Sequence, residues 1–308
     1  MLIPEQTPGF YMLKNCNLCP RNCNIDRASQ KGYCRAPDNI MLAKASTFFY
    51  EEPVVSGKNG TGAIFFSGCT LKCCFCQNKE ISQDMKGLTV TDTKFSEILL
   101  NLQEKGVDSI SLISATPYVL NIIRSIEKIK HKIKIPIVYN TSGYEKTETI
   151  KMLKDYIDVY VPDIKYINSG YSKKYSNAED YFKYCSDAVY EKLSQKPKLI
   201  YKDNQTLISG VLIRHLVLPG LYKDSIDILN WIKNLLSTNN FECLISIMSQ
   251  YTPYHQSNLY PEINRRITGF EYKKVINEAN RLELNGYMQE RISSKDSYIP
   301  DFDFEGII

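Results

Sequence analysis

The sequence predicts an α/β protein built on parallel strands, and three observations lead there. Beyond residue 60, short apolar runs that suit buried strands alternate with longer amphipathic runs that suit helices. Polar and otherwise special residues gather where the apolar runs end. A hydrophobic content of 43% over 308 residues is ample for a packed core. Strands alternating with helices favour right-handed crossovers, in a doubly wound sheet or in an open or closed barrel. Either architecture keeps its functional residues at the strands' C-terminal ends.

The strands are expected at TGAIFFSG (61–68), SISLISA (109–115), IPIVYNTS (135–142), DVYVPDIKY (158–166), VLIRHLVLPG (211–220) and CLISIMSQ (243–250), short runs that suit buried strands. The helices are expected at TKFSEILLNLQEKG, YVLNIIRSIEKIKHK, KTETIKMLKDYI, AEDYFKYCSDAVYEKL, DSIDILNWIKNLLS and GFEYKKVINEANRLEL, where apolar residues recur three and four apart. Six strand and helix pairs result. Residues 1–55 carry their own cysteines and read as a small N-terminal lobe, 56–285 as the core, and 286–308 as a C-terminal tail packed on it.

Charge sets few limits. Lys plus Arg exceed Asp plus Glu by 38 − 34 = 4, spread along the chain, which gives no mandate for nucleic acid. No export signal and no long apolar stretch occur, so a soluble cytoplasmic protein with no membrane partner is expected. Ten cysteines in so long a chain point to metal rather than disulfides, and eight of them fall between Cys16 and Cys76.

In GCTLKCCFCQ (68–77), Cys69, Cys73 and Cys76 read as C-x3-C-x2-C. Cys74 sits beside Cys73, and adjacent side chains diverge, so one loop uses only one of the two. Three thiolates leave one iron of a 4Fe-4S cluster without a protein ligand. A four-sulfur zinc site recruiting a remote cysteine is the alternative. Cys16, Cys19, Cys23 and Cys34 supply a further four thiolates, enough for structural zinc or a second iron-sulfur cluster. Cys185 and Cys243 fall in apolar runs and are expected in the core.

This cysteine loop, with Phe75 before its last thiolate, resembles the radical S-adenosylmethionine (SAM) superfamily. CNLCPRNC (16–23), the stretch 51–83, VPDIKY (161–166), RHLVLPG (214–220) and MSQYTP (248–253) resemble proteins related to pyruvate formate-lyase activating enzymes. The resemblance implies a partial (β/α)6 TIM-like barrel with the cluster at its mouth and SAM on the open iron. It implies reductive cleavage of SAM to a 5′-deoxyadenosyl radical that abstracts hydrogen from a protein or peptide. A glycyl radical enzyme is then a candidate substrate, and a flavodoxin or ferredoxin-type protein the electron donor.

Further residues follow from that resemblance. Thr116, in SATP, stands where the superfamily has a Gly-Gly-Glu-like segment; Asn140 and Thr141 match an Asp-Thr-Asn-Gly segment; Asp163 and Lys165 match Asp-x-Lys. With Phe75 and Arg214, these are the expected cofactor-binding residues. Two residues apart on a strand, Asp163 and Lys165 face one side. Arg214 offers a carboxylate a planar fork of donors, and His215, pointing the opposite way, is expected to pack. His131 and His255 have no partner pattern. A radical modification of another kind, epimerisation or crosslinking of a peptide or small molecule, is the second function considered. A metal-stabilised RNA-binding or electron-transfer protein is the third.

Overall fold

The computed structural model describes residues 13–203, 205–289 and 300–308. Residues 1–12 of the lobe and 290–299 of the tail lie outside the described residues. The strands are β1 Ile40–Phe48, β2 Thr61–Phe66, β3 Leu88–Val90, β4 Ser109–Ile113, β5 Ile137–Thr141, β6 Val159–Pro162, β7 Ile200–Lys202, β8 Thr206–Leu216, β9 Leu244–Met248 and β10 Gly286–Met288. The main helices are α1 Asp92–Glu104, α2 Val119–Ile129, α3 Thr147–Lys151, α4 Ser169–Ser176, α5 Tyr181–Gln195, α6 Tyr222–Asn239 and α7 Gly269–Arg281. Among the described residues no helix is long and apolar enough to cross a membrane.

The sheet runs β10-β9-β8-β6-β5-β4-β2-β1-β3, with β7 paired to β8. From β2 through β9 the neighbours are parallel and follow chain order, as the six expected strands require. The sheet does not close, so the barrel is partial. Four strands extend the sequence reading. β1 lies inside the stretch assigned to the N-terminal lobe, yet it pairs antiparallel with β2 and β3 and belongs to the sheet. β10 lies in the stretch assigned to the tail and adds a parallel strand beyond β9.

Alternation along each strand separates an inner from an outer face. Val138, Val159, Val161, Leu212 and Leu244 form an inner cluster with Val54 and Val55, which come from the one-turn helix Pro53–Ser56. The outward residues Ile64, Phe66, Ile110, Leu112, Tyr139 and Tyr160 belong to the main core with Phe95, Ile98 and Leu99 of α1 and Val189 of α5. The end of the chain lies along β1. Ala45 donates its backbone N–H to the Glu305 carbonyl at 2.8 Å and Phe304 donates to Ala43 at 3.1 Å, Lys44 pairs with Asp303 and Glu305, and Phe302 packs edge-on against Phe65.

Candidate functional site

A cavity of about 530 Å³ opens where the parallel strands end, and Cys69, Cys73, Cys76, Asp163, Lys165 and Arg214 all border it. The cysteine loop leaves β2 through Gly68, whose φ of +90° suits glycine. A Cβ there would stand 2.8 Å from the Cys34 carbonyl oxygen, so a side chain is excluded by contact as well as by conformation. The loop is tied on both sides of Cys74, whose N–H donates to the Tyr175 carbonyl at 2.8 Å and whose carbonyl accepts from Gln256 at 2.8 Å.

Those ties turn Cys74 into the core, 5% exposed, while its three neighbours face the cavity. Each of the three sulfurs has a hydrogen-bond partner: Leu71 N–H donates to Cys69 Sγ at 3.4 Å, the Ser176 hydroxyl donates to Cys73 Sγ at 3.0 Å, and Cys76 Sγ and the Ser82 hydroxyl share a bond at 3.2 Å. Burial pushes the thiols up, Cys69 to about 12 and Cys73 to about 11, with mutual repulsion adding to Cys69. Cationic iron reverses that tendency, because it supplies the countercharge a buried thiolate lacks. Among the described residues no three Cys, His or carboxylate side chains converge on a single-ion site. Three thiolates on one cavity supply three of the four ligands of a 4Fe-4S cluster and leave one iron open.

The charged residues form one network. Asp163 follows the end of β6 and bridges to Arg214 on β8, accepting from Lys165 Nζ at 2.6 Å and from Arg214 Nε at 2.9 Å. Arg214 Nη2 donates to Asn140 Oδ1 at 2.7 Å, and its Nη1 reaches Glu51 Oε2 at 3.4 Å. Asn140 Nδ2 also donates to Glu51 Oε1 at 2.9 Å. Burial raises the Asp163 carboxyl, but Lys165 and Arg214 outweigh it and hold Asp163 below its ordinary value. Burial likewise pulls Lys165 down, and Asp163 overrides it to a net rise. Burial pushes Glu51 up to about 7 against the pull of Arg214.

The other expected residues divide. Phe75 borders the cavity and packs edge-on against Tyr251, centroids 5.6 Å apart. Asn140 faces inward, whereas Thr141, next along β5, borders the cavity but donates its hydroxyl to Glu145 Oε2 at 2.9 Å. Thr116 does not border the cavity, and its hydroxyl donates to Glu145 Oε1 at 2.9 Å. Glu145 also accepts from Tyr139 and pairs with Lys192, both members of that pair being wholly buried. His215 points away, its ring held by the Ile164 carbonyl at 2.7 Å and Ser225 at 2.8 Å. Burial lowers it to about 4, which leaves it neutral.

Glu51 and its neighbour Glu52, which also borders the cavity, were not among the expected site residues. Their signal was present, since two adjacent carboxylates lead the stretch 51–83. The unread strand β1 hid the fact that they follow a strand end.

A model of the radical SAM superfamily matches residues 63–191, which include the cysteine loop and Asp163. The uncharacterized protein MJ0674 of Methanocaldococcus jannaschii is 28% identical over 283 residues, 89% of this chain and 77% of that protein. Among solved structures, SuiB of Streptococcus suis aligns with a TM-score of 0.47 and 15% identity over 72% of this chain and 46% of its own. The FeFe-hydrogenase maturase HydG of Carboxydothermus hydrogenoformans aligns with a TM-score of 0.50 and 14% identity over 70% of this chain and 48% of its own, a likeness of fold. This chain spans about half the length of both solved chains. The partial barrel and the cysteine loop agree with that match: residues 63–191 carry a radical SAM domain, and such a domain implies a 4Fe-4S cluster and S-adenosylmethionine as cofactors.

Proposed function

We propose that this protein abstracts a hydrogen atom from a protein or peptide, with activation of a glycyl radical enzyme as its specific task. The observation that carries the proposal is the register of the cysteine loop, in which Cys69, Cys73 and Cys76 share a cavity with the charged network while Cys74 is turned into the core. When bound, the cluster supplies one electron that splits SAM into methionine and a 5′-deoxyadenosyl radical, the hydrogen abstractor.

In this proposal Cys69, Cys73 and Cys76 hold three irons, and the network orients SAM. Arg214 spends three of its five N–H groups on Asp163, Asn140 and Glu51, which leaves two for the methionine carboxylate. Lys165 spends one of three on Asp163. Glu51, near neutrality, both donates to and accepts from hydroxyl groups such as those of a ribose. Phe75 walls the cavity against water, which a carbon radical requires. A polypeptide substrate is supported by Phe49 and Tyr50, 60% and 57% exposed, next to Glu51, and Tyr50 also borders the cavity. The glycyl radical task is supported by the motifs shared with pyruvate formate-lyase activating enzymes.

The test uses anaerobically reconstituted protein, dithionite and SAM, with a glycyl radical enzyme from the same organism carrying deuterated glycine. Deuterated 5′-deoxyadenosine and a glycyl signal in electron paramagnetic resonance (EPR) are expected. Undeuterated 5′-deoxyadenosine without that signal would eliminate the glycyl task, and absence of 5′-deoxyadenosine would eliminate SAM cleavage itself.

A further inference from the structure

Cys73 differs from the other two cavity cysteines in what stands behind its hydrogen bond. Helix α4 ends against the cysteine loop and holds it with its last two residues. The Tyr175 carbonyl accepts from Cys74 N–H at 2.8 Å, the Ser176 carbonyl accepts from Lys72 N–H at 3.4 Å, and the Ser176 hydroxyl donates to Cys73 Sγ at 3.0 Å. Asn177 closes the helix there at a left-handed φ of 53°.

Behind Ser176 lies Tyr166, from the stretch VPDIKY that also carries Asp163 and Lys165. Tyr166 Oη stands 3.0 Å from Ser176 Oγ, and both residues are wholly buried. Among the described residues Ser176 is the only hydrogen-bond partner of that phenol. Counting protons fixes the direction of the chain. A serine hydroxyl has one proton to give, and an iron-bound thiolate has none. The Ser176 proton therefore goes to Cys73, and the bond between Tyr166 and Ser176 runs from the phenol. Burial, with Cys73 adding to it, holds the phenol well above its ordinary value, so it keeps the proton it donates. The other two sulfurs have no such chain. Cys69 takes a backbone N–H, and Ser82, beside Cys76, borders the cavity with no second side chain bonded to its hydroxyl among the described residues.

We propose that Tyr166 and Ser176 form a donor chain that acts through Cys73 to raise the reduction potential of the cavity cluster. An added electron leaves more negative charge on the sulfurs, so a donor at one of them holds the reduced state more tightly than the oxidised one. Tyr166 strengthens that hold, because a hydroxyl that accepts one hydrogen bond gives a stronger one, by about 10–30%. Burial of both side chains keeps water from competing for either bond. Neither residue borders the cavity, so both are positioning residues rather than contacts to SAM or substrate. The step they favour is the uptake of one electron by the cluster from an external reductant, which is oxidised by one electron; no proton leaves the chain and no bond in it breaks.

The test is a redox titration of the anaerobically reconstituted protein with dithionite, the reduced cluster being counted by EPR. SAM and substrate are left out, so the result does not depend on the hydrogen abstraction proposed above. Wild type is compared with Tyr166→Phe, Ser176→Ala and the double variant. At the wild-type midpoint, where reduced and oxidised clusters are equal, Ser176→Ala is expected to lower the ratio of reduced to oxidised about threefold, a shift of about −28 mV at 59 mV per tenfold for one electron. Tyr166→Phe removes one oxygen atom and leaves the ring in place; it is expected to shift the midpoint the same way by less. The double variant is expected to match Ser176→Ala, because Tyr166 acts only through Ser176. A Tyr166→Phe midpoint at or above that of wild type overturns the chain, even where Ser176→Ala takes up no cluster. A double variant whose shift is the sum of the two single shifts overturns it as well, and so does a wild-type protein that takes up no cluster.

Discussion

Replacing Lys192 by Met is expected to lower the thermal midpoint of unfolding by about 5–8 °C. Lys192 and Glu145 are wholly buried, and Glu145 takes further hydrogen bonds from Thr116, Tyr139 and Thr141. Met fills the volume but leaves the carboxylate without its counter-charge, a loss of about 3–5 kcal/mol for a broken buried pair. With 308 residues at about 2.1 cal/mol/K each, the unfolding entropy is about 0.65 kcal/mol/K, which converts that loss to the stated shift. Calorimetry of the metal-free protein measures it directly. The double variant Glu145→Gln/Lys192→Met removes both charges and keeps an acceptor for the hydroxyls, so it is expected to recover most of the loss relative to either single change. A Lys192→Met midpoint within about 1 °C of wild type, well below the shift a stranded charge demands, would show that the pair carries none of this stability.

Other outcomes follow from the site. Alanine at Cys69, Cys73 or Cys76 is expected to abolish the SAM-responsive cluster signal while Cys74→Ala preserves it; the opposite pattern for Cys73 and Cys74 would mean the loop is misread. Asp163→Asn strands Lys165 and Arg214, so SAM affinity measured by equilibrium dialysis should fall by about 2 kcal/mol, some thirtyfold, with iron content unchanged; unaltered affinity would remove the network from SAM binding. Because the folded Glu51 carboxyl is raised from 4.5 to about 7, its contribution to stability is full below pH 4.5 and is lost as pH rises through about 7. Glu51→Gln should flatten the fall in midpoint across that window, and an unchanged slope would assign it to other groups. Gly68→Ala meets the Cys34 carbonyl and a φ of +90°, so more than ~1 kcal/mol of stability should be lost and the cysteine loop displaced, seen as reduced iron uptake; normal uptake and midpoint would refute the contact.

The parts of this fold that are legible in the sequence are those whose burial leaves a long run. β4, β5 and β9 are buried at every position and are read within a few residues. β1 escapes because Lys44, Ser46 and Thr47 interrupt its apolar pattern, and Lys44 belongs there only because Asp303 and Glu305 come from the far end of the chain to meet it. β3, β7 and β10 are three residues each, too short to carry a period. In the site, local spacing places Cys69, Cys73 and Cys76 on the cavity, and strand alternation turns Arg214 inward and His215 outward. The hydroxyls of Thr116 and Thr141 go to Glu145, which sits in a loop, and nothing local to either residue announces that partner.

The strip of backbone from residue 302 to 307 along β1 gives the protein a temporal order. Ala45 pairs with Glu305, which is synthesised 260 residues later. During translation β1 and the edge strand β3 are therefore formed, or left waiting, with that flank uncovered, and Lys44 stays without its carboxylates until residues 303 and 305 emerge. Contacts of such long sequence separation form late, so the cysteine loop after β2 is laid down on a half-finished wall. Nascent chains stalled before residue 302 should leave the Ala45 amide open to hydrogen exchange, and the full chain should protect it.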